Sequence, residues 1–221
     1  MIDDNIRLIL VENPKCASAA LKQMLTGNAF QDAMDPRTAT MNHNLPAQIR
    51  QRYPEKWREY RSFVVVRNTW DRELSFFTYH GVLFQEPSMQ NYNFESWVAA
   101  GMPRPEEPHL QIHYPKPNGS NHFLSQIEYT KGVDRVICLH SFDPAVRASE
   151  LEQAVNALSQ DWGFPVYPVH KHVNASRTDL EAMAWTKESI TIIGQVFSLE
   201  IERYGFQPPE ASTMPDKHTV R

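Results

Sequence analysis

The chain has few of the features that mark secreted, membrane-spanning or nucleic-acid-binding proteins. It holds only two cysteines, Cys16 and Cys138, in 221 residues, too few for a disulfide scaffold, so we expect free thiols. No apolar run approaches the roughly 18 residues of a membrane span, and no basic, apolar leader opens the chain. We therefore expect a cytoplasmic protein without a membrane span.

A basic excess is missing too. Lys and Arg number 22 against 26 Asp and Glu, which gives a formal net charge of −4. Nucleic-acid binding usually leaves a basic footprint, so we expect no nucleic-acid partner and infer that any anion site is local. Hydrophobic residues make up 41 %, enough for a substantial core.

Three short apolar runs predict strands: Ile6–Val11, Ser62–Arg67 and Arg135–His140. Continuous rather than alternating apolar strands are typical of a parallel sheet buried on both faces. Helical patterns alternate with them, over Ser18–Thr26, Pro46–Tyr60, Trp70–Phe84, Pro144–Trp162 and Thr186–Tyr204. This order predicts an α/β fold in a single domain, residues 1–207, with an irregular excursion around 85–130 and a flexible tail at 208–221.

Glycine is also scarce, with 8 in all and none in the stretch VENPKCASAALKQML that follows the first strand. A turn from a parallel strand into a helix gathers free backbone N–H groups, and the helix dipole adds about half a positive charge there. The small residues from Cys16 to Ala20 let an anion approach these groups, and Lys15 adds a full charge. The alternative is an ordinary surface lysine on a strand–helix turn.

Two familiar phosphate-binding patterns do not fit this turn. A Walker A loop needs glycines and a lysine at its end, followed by Ser or Thr, whereas here Lys15 comes first. A cysteine-dependent phosphatase would carry arginine six positions after its nucleophile, and Lys22 stands there.

The second strand runs into VRNTWDRELSFF, which places Arg67 at the strand end and Ser75 in the following helix. Two turns of helix keep the guanidinium and the hydroxyl close enough to clamp one phosphate. The alternative is that Arg67 only caps the sheet edge.

Together, NPKCASAALK and VRNTWDRELSFF resemble the two cofactor motifs of sulfotransferases that use 3′-phosphoadenosine-5′-phosphosulfate (PAPS), in particular the carbohydrate branch that is heparan 2-O-sulfotransferase-like, with its bacterial relatives. The stretches RVICLHSFDP, HVNASRTD and ERYGF resemble later parts of that family. The resemblance covers most of residues 6–207 and implies a P-loop-like three-layer fold. It also implies sulfuryl transfer from PAPS to an acceptor hydroxyl, leaving 3′,5′-ADP.

The resemblance implies a role for each matching residue. Lys15 would contact the phosphosulfate and stabilise the leaving group, while the amides of Cys16, Ala17, Ser18, Ala19 and Ala20, with the Ser18 hydroxyl, would hold the 5′-phosphate. Arg67 and Ser75 would hold the 3′-phosphate. Ser176 and Arg177 are candidate contacts in a loop over the nucleotide. The family usually has Thr or Ser where this chain has Ala19 and Ala20, and each lost hydroxyl costs about 0.5–1.5 kcal/mol of binding.

The acceptor hydroxyl needs a base. Of nine histidines, His43 lies between the two motifs, where the family places its catalytic histidine, and we expect it to take this role. The alternative is a structural loop histidine. We expect no metal: His109 and His113 have H-x₃-H spacing but lie in a proline-rich segment. The acceptor is expected to be a carbohydrate or a small metabolite. Two other functions stay open, a nucleotide-binding protein without catalysis and a P-loop kinase.

Overall fold

In the computed structural model, residues 1–27, 43–79, 91–102, 124–169 and 185–211 are described. The chain divides into two compact units, Met1–Asn68 with Glu106–Asn174, and Thr69–Pro105 with Ala175–Arg221. The single domain predicted over residues 1–207 stays a prediction.

The first unit is built on a sheet whose described strands are β1 (Ile2–Asp3), β2 (Leu8–Val11), β3 (Arg61–Arg67) and β4 (Arg135–Leu139), in that spatial order. β2, β3 and β4 are parallel, and β1 is antiparallel to β2. The sheet with its helices confirms the predicted α/β class. β1 was not predicted, because two residues are too few to show a pattern.

The first unit's helices are α1 (Ser18–Thr26), α2 (Pro46–Arg52), α3 (Pro54–Glu59), α6 (Gln126–Tyr129) and α7 (Pro144–Trp162). Alternate strand residues face opposite sides. Leu8, Leu10 and Phe63 pack with side chains of α1 and α7. Ile9, Val11 and Val64 pack with Ile49 of α2 and Tyr129 of α6. Both faces of the sheet are therefore covered, as continuous apolar strands require.

Capping explains the bounds of α7. Asp143 accepts hydrogen bonds from the N–H groups of Ala145 and Val146, and Gly163 ends the helix in a left-handed conformation with φ 74°. The segment Pro46–Tyr60 was expected to form one helix and instead forms α2 and α3. Pro54 is the reason, since its ring removes an N–H and suits the first position of a new helix.

The second unit contains α4 (Thr69–Phe77), α5 (Phe94–Ala99), α8 (Lys187–Val196) and α9 (Ser198–Tyr204). A cluster of aromatic rings forms part of its core, made of Phe76, Phe77, Phe94, Trp97 and Trp185. The single helix predicted over Thr186–Tyr204 is wrong. The helix is interrupted at Phe197 by a tighter turn, in which the Phe197 carbonyl accepts from the N–H of Glu200 at 3.0 Å. No described helix is long and apolar enough to cross a membrane.

Candidate anion-binding site at the carboxyl end of the sheet

The turn of the first sequence motif and Arg67 of the second lie at one edge of the parallel sheet. β2 ends at Val11 and leads through residues 12–17 into α1, while its neighbour β3 ends at Arg67. The Nη1 atom of Arg67 donates a hydrogen bond to the Lys15 carbonyl at 3.1 Å, across 52 positions of sequence. In open α/β sheets, ligands bind at this carboxyl edge.

The turn between β2 and α1 takes a backbone conformation that normally needs glycine. Lys15 and Ala17 both have φ 63°, in the left-handed region. For residues with a Cβ this conformation costs roughly 1–2 kcal/mol each, and such strain clusters at functional sites. Left-handed residues alternating with ordinary ones turn successive N–H groups inward and form an anion-binding concavity. Within this turn the Cys16 N–H donates to the Asn13 carbonyl at 3.3 Å, so that group closes the turn.

The N-terminus of α1 completes this concavity. Ala17 precedes the helix and gives it no side-chain cap. The first helical bond runs from the N–H of Leu21 to the Ala17 carbonyl at 3.0 Å, so the preceding N–H groups have no partner within the helix. The Ser18 hydroxyl lies 3.3 Å from the Asn13 carbonyl and donates to it. Its proton is therefore used to close the turn.

Lys15 is half-buried in this turn. Burial, and after it the nearby Arg67 charge, together lower the pKa of Lys15 to about 7. An anion bound between Lys15 and Arg67 would oppose both effects and raise the pKa of Lys15, because an opposite charge favours the ammonium form.

A buried carboxylate lies behind the turn. Glu12 Oε2 is 2.8 Å from the Lys22 ammonium, and its Oε1 is 3.0 Å from the N-terminal ammonium of Met1. Burial by itself raises the pKa of Glu12, but the two ammonium groups outweigh it and hold the pKa at about 2. Glu12 is thus ionised throughout the physiological range and fixes Lys22 of α1 against the end of β2.

His43 lies against the same residue. Its Nδ1 is 3.0 Å from the Glu12 carbonyl oxygen, which only accepts hydrogen bonds. Nδ1 therefore carries the proton, and the lone pair of the neutral ring is on Nε2. Burial lowers the pKa of His43 to about 4, although the Glu12 carboxylate opposes this. His43 also has φ 58°, a third left-handed residue near the turn. A neutral ring in this tautomer has the form that a general base requires.

The remaining predicted residues are placed as follows. The Cys16 thiol is buried, 3.4 Å from the Pro14 carbonyl, and neither Cys16 nor Cys138 forms a disulfide, as predicted. Ser75 is buried in α4, which belongs to the second unit, so its pairing with Arg67 stays a prediction. Ser176 and Arg177 lie outside the described residues.

Sequence reasoning missed three buried polar residues of the site: Glu12, Asn13 and Gln126. A charged residue directly after the apolar run LILV was a usable signal for Glu12, because burial of a carboxylate demands partners. Gln126 gave no such signal, since it is distant in sequence from everything it contacts.

Comparisons with family models, with curated proteins and with solved structures find no match for this chain.

Proposed function

We propose that this chain is a PAPS-dependent sulfotransferase with a P-loop-like fold, which moves the sulfuryl group of PAPS to a hydroxyl of a carbohydrate or small metabolite. One observation carries the proposal. The hydrogen bond from Arg67 to the Lys15 carbonyl, at 3.1 Å, brings the cations of the two cofactor-like motifs to one edge of the sheet.

The first motif is suited to the phosphosulfate. The amides of Ala17 and of the first turn of α1 would hold the 5′-phosphate, since a helix N-terminus favours anions. The Cys16 amide, also predicted to hold it, donates to the Asn13 carbonyl at 3.3 Å instead. Lys15 would bind the oxygen that bridges phosphorus and sulfur. As the sulfur–oxygen bond breaks, its electron pair passes to that oxygen, and a cation there stabilises the charge. Arg67, with Ser75, would hold the 3′-phosphate.

The acceptor would attack sulfur in line with the leaving oxygen and give its proton to Nε2 of His43. In the ligand-free protein, burial and the charges of Lys22 and Lys15 disfavour the imidazolium form of His43. A bound phosphosulfate brings negative charge to this place and would raise the pKa of His43 toward neutrality. The base then becomes effective only when the cofactor is present.

The test is nucleotide selectivity followed by transfer. We expect 3′,5′-ADP at 100 times its Kd to raise the melting temperature by about 5–10 °C, whereas 5′-AMP at the same concentration gives a smaller shift. Lys15→Ala and Arg67→Ala should each remove the shift. Lys131→Ala and Arg58→Ala change exposed cations of the same unit and should keep it.

The second part of the test measures sulfuryl transfer, with PAPS labelled in its sulfuryl group and a panel of sugars and small alcohols as acceptors. Label moving to an acceptor, and lost in Lys15→Ala, would support the proposal. A melting shift with ATP–magnesium but none with 3′,5′-ADP would overturn it in favour of a P-loop kinase.

A second function, nucleotide binding without transfer, is favoured by the shortage of hydroxyl groups in the turn. Ala19 and Ala20 have none, and the Ser18 hydroxyl donates to the Asn13 carbonyl. Tight binding of 3′,5′-ADP with no label transferred to any acceptor would support this function instead.

A further inference from the structure

One buried side chain connects the two halves of the anion site. Gln126 stands at the start of α6 and is fully buried. Its Nε2 donates to the Arg67 carbonyl at 2.9 Å, and its Oε1 accepts from the Arg67 N–H at 2.9 Å. The amide thus holds both main-chain groups of the last residue of β3, as a neighbouring strand would.

The same amide oxygen reaches the turn after β2. Asn13 Nδ2 donates to Gln126 Oε1 at 3.1 Å, and the Cys16 thiol lies 3.3 Å from that oxygen. Asn13 also donates to the Val65 carbonyl at 3.0 Å, which fixes its amide orientation. Gln126 is therefore the point where the turn and the end of β3 are bonded to a common group.

The orientation of Gln126 is determined by its partners. The Arg67 N–H only donates and the Arg67 carbonyl only accepts, so a flipped amide would lose both bonds. Asn13 shows how tightly the site is fixed. Its Oδ1 is the one buried side-chain oxygen or nitrogen of the described residues without a hydrogen-bond partner. The unfavourable free energy of this unpartnered oxygen persists because the Asn13 Nδ2 is hydrogen-bonded to Val65 and Gln126, which fixes the side chain.

We infer that Gln126 is a positioning residue that sets the separation between the phosphosulfate turn and Arg67. This inference rests on the proposed function for its ligand. A ligand with one phosphate uses one half of the site and tolerates a change in separation. A ligand with phosphates at both the 5′ and 3′ positions needs both halves at one fixed distance.

Gln126→Met tests the inference, because it keeps the length of the side chain and removes every hydrogen bond. We expect binding of 3′,5′-ADP, measured by calorimetry, to weaken at least about tenfold, the effect of one or two lost hydrogen bonds. Binding of 5′-AMP and of 3′-AMP should weaken less than about threefold, since each needs only one half of the site. Gln126→Asn keeps the amide but shortens its reach, and serves if the Met variant does not fold.

The matched control is Leu158→Ala in α7, a buried core residue whose side chain makes no hydrogen bonds. It lowers stability without touching the amide bridge, so it should leave the ratio of the three affinities unchanged. If Gln126→Met weakens all three nucleotides by one factor, or leaves 3′,5′-ADP unaffected, the inference is wrong.

Hydrogen exchange distinguishes a wrong positioning role for Gln126 from a wrong proposed function. We expect the amides of residues 15–20 to exchange at least about tenfold faster in Gln126→Met than in Leu158→Ala at equal stability. If the wild type binds none of the three nucleotides, the proposed function falls, and the exchange rates alone decide on the positioning role. Equal exchange in the two variants overturns it.

Discussion

Binding of 3′,5′-ADP should take up a proton through Lys15. Burial and then the Arg67 charge lower the pKa of Lys15 to about 7 in the ligand-free protein. A phosphate beside the ammonium favours the charged form and raises the pKa. About nine in ten Lys15 side chains are neutral at pH 8 and about half at pH 7, so binding takes up about 0.9 and 0.5 protons respectively.

The same linkage predicts the dependence of affinity on pH. Above pH 7 each further pH unit should weaken binding by a factor approaching ten, or about 1.4 kcal/mol. Phosphate groups lose their second proton near pH 6, so the ligand stays fully ionised between about pH 7.5 and 9. Within that window the change reports the protein and not the nucleotide.

Calorimetry in two buffers of different ionisation enthalpy measures the proton number directly. Lys15→Arg keeps the charge over this whole range, so its proton uptake at pH 8 should vanish and its affinity should stay level between about pH 7.5 and 9. Lys131→Arg, an exposed control, should behave as the wild type does. Uptake below about 0.2 proton at pH 8, or equal uptake in Lys15→Arg, would refute the reasoning.

Three further changes test other parts of the site. Glu12→Gln leaves the ammonium groups of Met1 and Lys22 buried beside a neutral amide and should lower the free energy of unfolding by about 3–5 kcal/mol in urea at pH 7. Since the pKa of Glu12 is lowered from 4.5 to about 2, this difference should shrink as the pH falls through that interval, and a constant difference would argue against the ion pairs. His43→Ala should reduce sulfuryl transfer about 10²–10⁴-fold while the Kd for 3′,5′-ADP stays the same, and full turnover would remove His43 as the base. Ala17→Gly relieves a left-handed Cβ and should raise stability by about 1 kcal/mol in thermal unfolding, whereas Ala47→Gly in α2 should lower it by a similar amount; equal destabilisation by both changes would contradict the strain.

The elements that sequence predicted best are those with local causes. The bounds of α1 and α7 match the prediction, and in α7 the cap is Asp143, directly before the helix. The three parallel strands were visible because burial on both faces leaves continuous apolar runs. The break between α2 and α3 at Pro54 was not predicted, but it could have been, since proline disfavours the interior of a helix.

The sequence predicted an irregular excursion around residues 85–130 and did not predict the two short helices within it. Its described residues contain α5, which the Asn93 side chain caps by accepting from the Ser96 N–H, and α6, which Ser125 caps. Both caps were readable, but helices of six and four residues carry too little periodicity to be recognised.

In the candidate site, too, the residues with local causes could be predicted and the long-range contacts could not. Lys15 and Arg67 stand next to their strands, so the sheet topology brings them together. The partners that tune them are long-range. Neither the bond of His43 to the Glu12 carbonyl nor the amide bridge of Gln126 follows from any local pattern, because each depends on a three-dimensional approach of distant segments.

The amide bridge also has a consequence for folding order. Gln126 contacts Asn13 across 113 positions of sequence, whereas the strand, turn and helix from Leu8 to Thr26 are local. At about 5–20 residues per second, a ribosome needs about 6–23 s to reach Gln126 after Asn13. Local elements form within microseconds. For those seconds the nascent chain has the residues of the turn but lacks the side chain that bonds the turn to the end of β3, so the anion site cannot reach its final geometry before α6 has been made.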